Sequence, residues 1–357
     1  MSFTVGHKFK ITIFGQSHSD AIGVVIDGIP SGFRIDMDNI LFEMNRRAPG
    51  QNSLATSRKE ADLPEIVCGI FNGVATGTPL CAIIRNTNIK SKDYEGVKTK
   101  MRPGHADYTG YMRYQGFHDY RGGGHFSGRL TAPLVFAGAV AKQLLLPYGV
   151  QIYAHILSLA AVRDDAFDSV RPNQELLNEL KQNYLPVLNL SVVDKMREYI
   201  FNARKAGDSV GGVIEVMATG MPAGVGDPYF DSIESTLSQL IFSVPAVKAV
   251  EFGDGFAVSG LYGSECNDSY YYEQDKIKTR TNHNGGILGG ITNGMPIVFR
   301  AAVKPTPSIA KEQDTVDIER REECKLVVGG RHDPCIVPRA VPVLEAVTAI
   351  GLYERLR

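Results

Sequence analysis

Apolar residues along this chain fall into two rhythms. Short runs that alternate, or stay apolar for a few residues, predict strands: FKITIFG (9–15), IGVVIDGIP (22–30), PEIVCGIF (64–71), TPLCAIIRN (78–86), GVQIYAHILSLAAV (149–162), GGVIEVMATG (211–220), VKAVEFGDGF (247–256) and PIVFRAAVK (296–304). A wider spacing predicts helices. DMDNILFEMNRR (36–47) carries Ile40, Leu41 and Met44 on one side, with Asp36 or Asp38 near its start. Residues 131–147 form the most apolar helix, 172–182 and 192–206 are charged and amphipathic, 229–244 is mixed, and 338–356 closes the chain. Residues 263–290 read as one long polar, glycine-rich segment.

No linker separates these elements. Two internal echoes recur in the same order: GVVIDGIPSG (23–32) with GVIEVMATGMPAG (212–224), and GVATGTPL (73–80) with GITNGMPI (290–297). They suggest a duplicated β/α unit with pseudo-twofold symmetry. Gly–Pro turns recur widely, so chance likeness is the competing reading.

Composition narrows the function. The chain has 357 residues, 43% hydrophobic and 22% charged, with a formal net charge of −1. That is ordinary globular composition, and it lacks the basic surplus of a nucleic-acid or membrane-surface binder. The five scattered cysteines form no C-x-x-C pair, which argues against a disulfide framework or a zinc site and fits a reducing cytoplasm. The apolar run at 132–141 reads as too short, and too rich in Ala and Gly, to span a bilayer, and no ligand spacing points to a metal.

Glycine is conspicuous at 37 residues, clustered beside His, Arg, Ser and Lys. Five of the eight histidines, His18, His105, His125, His283 and His332, lie in such loops. A lone histidine is more often structural, but five placed this way point to proton transfer near neutral pH. Arg46, Arg47, Arg58, Lys59, Arg102, Arg113, Arg121, Arg129, Lys304, Arg331 and Arg339 sit in or near the same loops and suggest a concentrated anion site. Arg46, Lys59 and Arg113, each taken alone, read as solvated surface charges. GGGHFSGRLTAP (122–133) and VKPTPSI (303–309) look like anion cradles ahead of, or stiffened around, a ligand. Neither is a P-loop or a G-x-G-x-x-G fingerprint, and no G-x-S-x-G elbow is present.

At these motifs the chain resembles the chorismate synthases. The resemblance runs nearly end to end through GQSHSDAIGVVIDGIPSG, RRAPGQNSLATSRKEAD, RPGHADYTG, GGGHFSGRLTAP, NGGILGGITNGMPI, VKPTPSI and GRHDPCIVPRAVPVLEA, in family order. It implies an α/β (α+β) fold: a β-α-β sandwich with an internal pseudo-twofold repeat, one large domain over 1–357 with halves of roughly 1–150 and 151–357. It implies a cytoplasmic homotetramer. The reaction implied is the 1,4-anti elimination of phosphate and the C6 hydrogen from 5-enolpyruvylshikimate 3-phosphate, with reduced FMN (FMNH2) required and no net redox change. His18 is then the acid for the departing phosphate, His105 the proton donor to the reduced flavin, and Asp333 an aid to C6 proton removal beside flavin N5. Arg47, Ser127, Arg129 and Arg331 are the implied substrate contacts. His125, Phe126, Ser127, Pro245, Ala246, Gly289, Lys304, Pro305, Thr306, Pro307, Ser308 and Arg331 are the implied FMN contacts.

Some positions depart from the family pattern. Gln16 and Ser19 flank the first His motif where Glu and Gly are usual, Ser53 stands near a usual arginine, and His125-Phe126 replaces an Arg-Ser pair. Some relatives carry their own NADPH-dependent flavin reductase activity; with no added domain evident, an external flavin reductase or other reductant is expected here. Two other readings stay open on the residues alone. An FMN oxidoreductase is disfavoured by the missing nicotinamide fingerprint, and a non-catalytic phosphometabolite binder by the His and Asp constellation.

Overall fold

The computed structural model describes residues 3–50, 60–87, 98–330 and 332–356. Two antiparallel sheets enclose a layer of helices. The first sheet comprises β1 (Thr4–Val5), β2 (Lys10–Gly15), β3 (Ala21–Asp27), β4 (Pro64–Cys68) and β5 (Leu80–Arg85), in the order β1-β2-β3-β5-β4. Val24 pairs with Ile13 on one side and Ala82 on the other. Ile22, Val24, Ile26, Leu80, Ala82 and Ile84 are all buried, the period-2 signature of a strand with one inward face.

The second sheet comprises β6 (Gln151–Leu159), β7 (Val162–Arg163), β8 (Gly212–Thr219), β9 (Val247–Phe252) and β10 (Ile297–Val303), in the order β9-β10-β8-β6-β7. With the two-residue edge strands set aside, both sheets place their strands in the order first, second, fourth, third. Helix α1 (Met37–Arg47) follows the second strand of the first sheet, as α6 (Ile233–Ser243) follows that of the second. The fourth strands are followed by α3 (Thr131–Leu145) and α7 (Val337–Leu356), α3 after the intervening α2 (Asp107–Tyr114). Each sequence echo falls at the same place in its sheet: on the second strand, and at the entry to the fourth.

The helices fill the interior because of their composition. In α3 every residue from Thr131 to Leu145 except Lys142 is buried, and α7 is buried from Val337 to Glu354 apart from Arg339. Such all-round apolar helices belong in a core. The helical stretch Arg121–Tyr148 is in fact long and apolar enough to cross a bilayer, contrary to the sequence estimate, but 83% of its most apolar window is buried inside the protein. α3 and α7 meet at Gly138, where any Cβ would run into Ala346. One polar knot lies in this layer: the fully buried Glu345 accepts from Arg46 at 2.6 and 2.9 Å and from Lys142 at 2.6 Å. Burial would raise the Glu345 carboxyl, but the two cations outweigh it and hold it below its ordinary range. Arg46, expected to be a solvated surface charge, is instead tied down here.

Several local expectations are sharpened. Asp36, not Asp38, caps α1, accepting from Asn39 N at 3.0 Å. The amphipathic pair are α4 (Gln174–Leu180, capped by Asn173) and α5 (Val193–Lys205). Helix α6 begins only at Ile233, behind Ser232 as cap, so Tyr229 and Phe230 precede it and are exposed. The segment 263–290 is not featureless: it folds as a short helical turn, a hairpin Tyr270–Glu273/Lys276–Thr279, and a strand Ile287–Leu288 paired with Ile291–Thr292. Its first strand is rich in tyrosine, a residue that favours strands.

Candidate functional site

The glycine run at 122–124 is the centre of the site. All three glycines have positive φ (60°, 82° and 52°), which bends the chain into a tight turn before α3. Two histidines stand against it. A side chain at Gly122 would collide with the His18 ring, and one at Gly123 would lie 3.1 Å from His105 Nε2. Consecutive Cα atoms are about 3.8 Å apart, so the run brings both imidazoles to one short length of backbone.

Each ring is oriented from behind. His18 is buried and its Nδ1 lies 3.0 Å from Ser17 Oγ. The Ser17 hydroxyl also faces the carbonyls of Arg121 (3.2 Å) and Gly122 (3.1 Å), which take its single proton. Ser17 Oγ therefore accepts from His18 Nδ1–H, which sets the ring's tautomer and places the basic lone pair on Nε2. His105 Nδ1 donates to Asp107 Oδ1 at 2.7 Å. Asp107 is itself gripped by Arg102, through Nε at 2.6 Å and Nη2 at 2.7 Å. Burial works against the Asp107 carboxylate, but its bonds to Arg102 and His105 hold it far below the ordinary range. Ser17 and Asp107 were not singled out in the sequence; their only signal is adjacency to His18 and His105.

Arg102 also reaches the other half of the chain. Its Nη1 donates to Ser308 Oγ at 3.2 Å, and Lys304 Nζ donates to the Gly104 carbonyl. Lys304 N donates to Ala246 O at 2.9 Å, and Ala246 holds a positive φ of 73°, costly for alanine. Thr306 takes Ser209 Oγ on its carbonyl, while its own Oγ1 is buried with no hydrogen-bond partner among the described residues. Pro305 and Pro245 are exposed, and Pro307 packs toward Gly104. Gly289 has open space where a Cβ would point. Among the described residues no hydrogen bond ties Gly289 to the histidine group; its neighbour Gly290 instead accepts the Ile233 amide.

The opening loop resolves into separate roles. His125 Nδ1 lies 2.9 Å from Gly15 O, and its ring meets Phe3 edge-on at 4.2 Å. Phe126 packs over α2, where a Cβ on Gly110 would come within 2.7 Å of it. Ser127 caps the short turn at 128–130 by accepting from Arg129 N at 3.3 Å. Arg129 and Arg47 are both buried and meet at Asp62. Asp333 is paired with Arg339, whose Nε donates to the Arg47 carbonyl at 3.0 Å. His332 donates to Gly329 O at 2.9 Å, and burial with the Arg102 and His105 charges pushes its pKa down. Arg331, Arg58, Lys59 and Ser53 lie outside the described residues. His283 pairs with Asp254 at 2.6 Å, Arg121 with Asp119 at 2.8 Å, and Arg113 is exposed.

The site therefore offers two imidazoles with oriented Nε2 atoms, several arginines for anions, and a carboxylate steadied by a cation. A family model described as chorismate synthase matches residues 9–356. A chorismate synthase of Methanocella arvoryzae is 47% identical over 355 residues, covering 99% of this chain and 94% of its own. One from Dehalococcoides mccartyi is 46% identical over 354 residues, covering 99% and 96%. A solved structure titled as the crystal structure of chorismate synthase aligns with a TM-score of 0.77 at 27% identity, over 98% of this chain and 92% of that one. This chain belongs to the chorismate synthase family, the carbon–oxygen lyases of the shikimate pathway that form chorismate.

Proposed function

We propose that His18, His105 and Asp333 carry the elimination that family membership assigns to this chain. The observation behind this reading is the pair of imidazoles against successive glycines, each held through Nδ1. His18 Nε2 protonates the departing phosphate, since the dianion leaves more readily than the trianion. His105, with Asp107 behind it, holds a proton at the cofactor face. Asp333 assists removal of the C6 proton, with Arg339 steadying its charge. Arg47, Arg129 and Arg331 meet the substrate's carboxylates and phosphate, with Ser127 beside them.

The family uses reduced FMN, and the residues present suit it. Thr306 Oγ1 is a buried hydroxyl without a partner among the described residues, and Gly289 leaves room that a side chain would fill. Lys304, Pro305, Thr306, Pro307, Ser308, Pro245, Ala246, Gly289 and Arg331 would hold it, together with His125, Phe126 and Ser127. When bound, reduced FMN supplies the electron-rich ring that lets the allylic C–O bond break without net redox change. A cytoplasmic setting, a supply of reduced flavin from an external reductase, and a homotetramer complete the reading. So does a duplication dividing the chain near residue 150, which the shared strand order supports.

The deciding experiment is anaerobic. Protein with chemically reduced FMN and 5-enolpyruvylshikimate 3-phosphate is expected to release chorismate and phosphate in equal amounts and return the flavin reduced. Absence of chorismate, or flavin oxidised in step with turnover, would sink this reading.

A further inference from the structure

Asp62 joins the two buried arginines. Its Oδ2 accepts from Arg47 Nη1 at 2.6 Å and its Oδ1 accepts from Arg129 Nη1. Glu60 approaches the same Arg129 nitrogen at 3.2 Å. The remaining nitrogens are fixed too. Arg47 Nε donates to Thr131 Oγ1 at 3.0 Å and Nη2 to Gly128 O at 2.9 Å, while Arg129 Nε donates to Asn86 Oδ1 at 3.0 Å.

Three features go beyond charge balance. Asp62 is 3% exposed, so the pairing is sheltered from screening water. It gives one oxygen to each arginine, and so sets the two guanidinium planes relative to each other, although one comes from the end of α1 and the other from the turn before α3. It also stands at φ +50°, a left-handed conformation costly for a non-glycine residue, and such strain persists where the surroundings over-determine a functional geometry. Burial lowers the Arg47 pKa to about 10 against the pull of Asp62, so without this carboxylate two cations would face each other in the interior.

We infer that Asp62 is a positioning residue for the elimination: it sets the spacing and orientation of Arg47 and Arg129 at which the anionic groups of the substrate are received. This rests on the assignment of those arginines to the substrate.

The test compares Asp62→Glu, Asp62→Asn and Arg129→Lys by KM for 5-enolpyruvylshikimate 3-phosphate, affinity for reduced FMN, and thermal midpoint, with kinetics run below each midpoint. Asp62→Glu keeps the charge and displaces the carboxylate by one methylene. Its KM is expected to rise about tenfold or more, with flavin affinity within about twofold of wild type and the midpoint little changed. Asp62→Asn is expected to raise KM further and lower the midpoint. A wild-type KM in Asp62→Glu overturns the proposal, because the carboxylate then serves charge balance alone. Should that variant fold poorly, Glu60→Gln reads the same Arg129 contact: a rise of about two- to fivefold supports the proposal and an unchanged KM counts against it. An unchanged KM in Arg129→Lys removes the arginine assignment itself, whereas a raised KM there with none in Asp62→Glu removes only the positioning role.

Discussion

Gly122 and Gly123 show how a residue type can be legible while its reason is not. Three glycines beside His, Ser and Arg read as a cradle that brings backbone amides to an anion. In the fold their first task is to leave room for side chains from elsewhere: His18 from the β2–β3 turn and His105 from the loop before α2. No local pattern could reveal that, because the imidazoles arrive from positions 104 and 18 residues away in sequence. Gly122→Ala therefore carries a sharp expectation. A methyl there strikes the His18 ring from a backbone that alanine adopts reluctantly, so turnover with reduced FMN should fall by about a hundredfold while FMN is still bound. Single-turnover rates at wild-type speed would show that the His18 ring does not depend on this wall. Arg47 and Arg129 were legible as cations, but the carboxylate between them was not. Asp62 sits in the charged run TSRKEAD, which draws attention to its cations Arg58 and Lys59 rather than to its carboxylates.

At the level of elements, strand pattern was the most readable property and cross-strand chemistry the least. In the second sheet His155, Glu215, Arg300 and Glu251 stand opposite one another across β6, β8, β10 and β9. The result is a ladder of alternating charge: His155 to Glu215 at 3.0 Å, Arg300 to Glu215 at 2.9 Å and Arg300 to Glu251 at 3.5 Å, with Asp164 closing on His155 at 3.0 Å. Periodicity identified those strands but could not give their register, so His155 was passed over in a run that reads as apolar. Burial lowers the His155 pKa, but hydrogen bonds to Asp164 and Glu215 outweigh it and leave the pKa raised. A raised imidazole pKa contributes stability that is complete below the unfolded value, about 6.5, and is lost as pH climbs through the folded value. His155→Gln should cost about 2–4 kcal/mol at pH 6 and progressively less at higher pH, as read from urea midpoints between pH 6 and 9. Parallel curves for the two proteins would rule out a charged His155 as the source.

Across the whole molecule, the layer order followed from composition. Helices apolar on all sides must be enclosed, and sheets with one inward face supply the enclosure. Surface tells a second story. Phe230 is 93% exposed, Phe117 91%, Tyr229 85% and Phe256 81%. Light scattering on the purified protein is expected to give the mass of a homotetramer at micromolar concentration, and Phe230→Asp with Phe256→Asp to reduce it. A monomer mass for the unaltered chain would leave those aromatics without a partner of this kind.

Helix α7 latches the segment that leads into β2. The Glu354 carboxylate accepts from the amides of His7 at 2.8 Å, Lys8 at 3.0 Å and Phe9 at 2.7 Å. Arg339, also on α7, donates back to the carbonyl of Arg47. A ribosome delivers Glu354 and Arg339 long after the segments they brace. The first sheet leaves the exit tunnel early, yet the carboxylate that ties down residues 7–9 emerges only with α7. Contacts of such long sequence separation are slow to close. The nascent chain therefore carries the amides of residues 7–9 unlatched until α7 has been made.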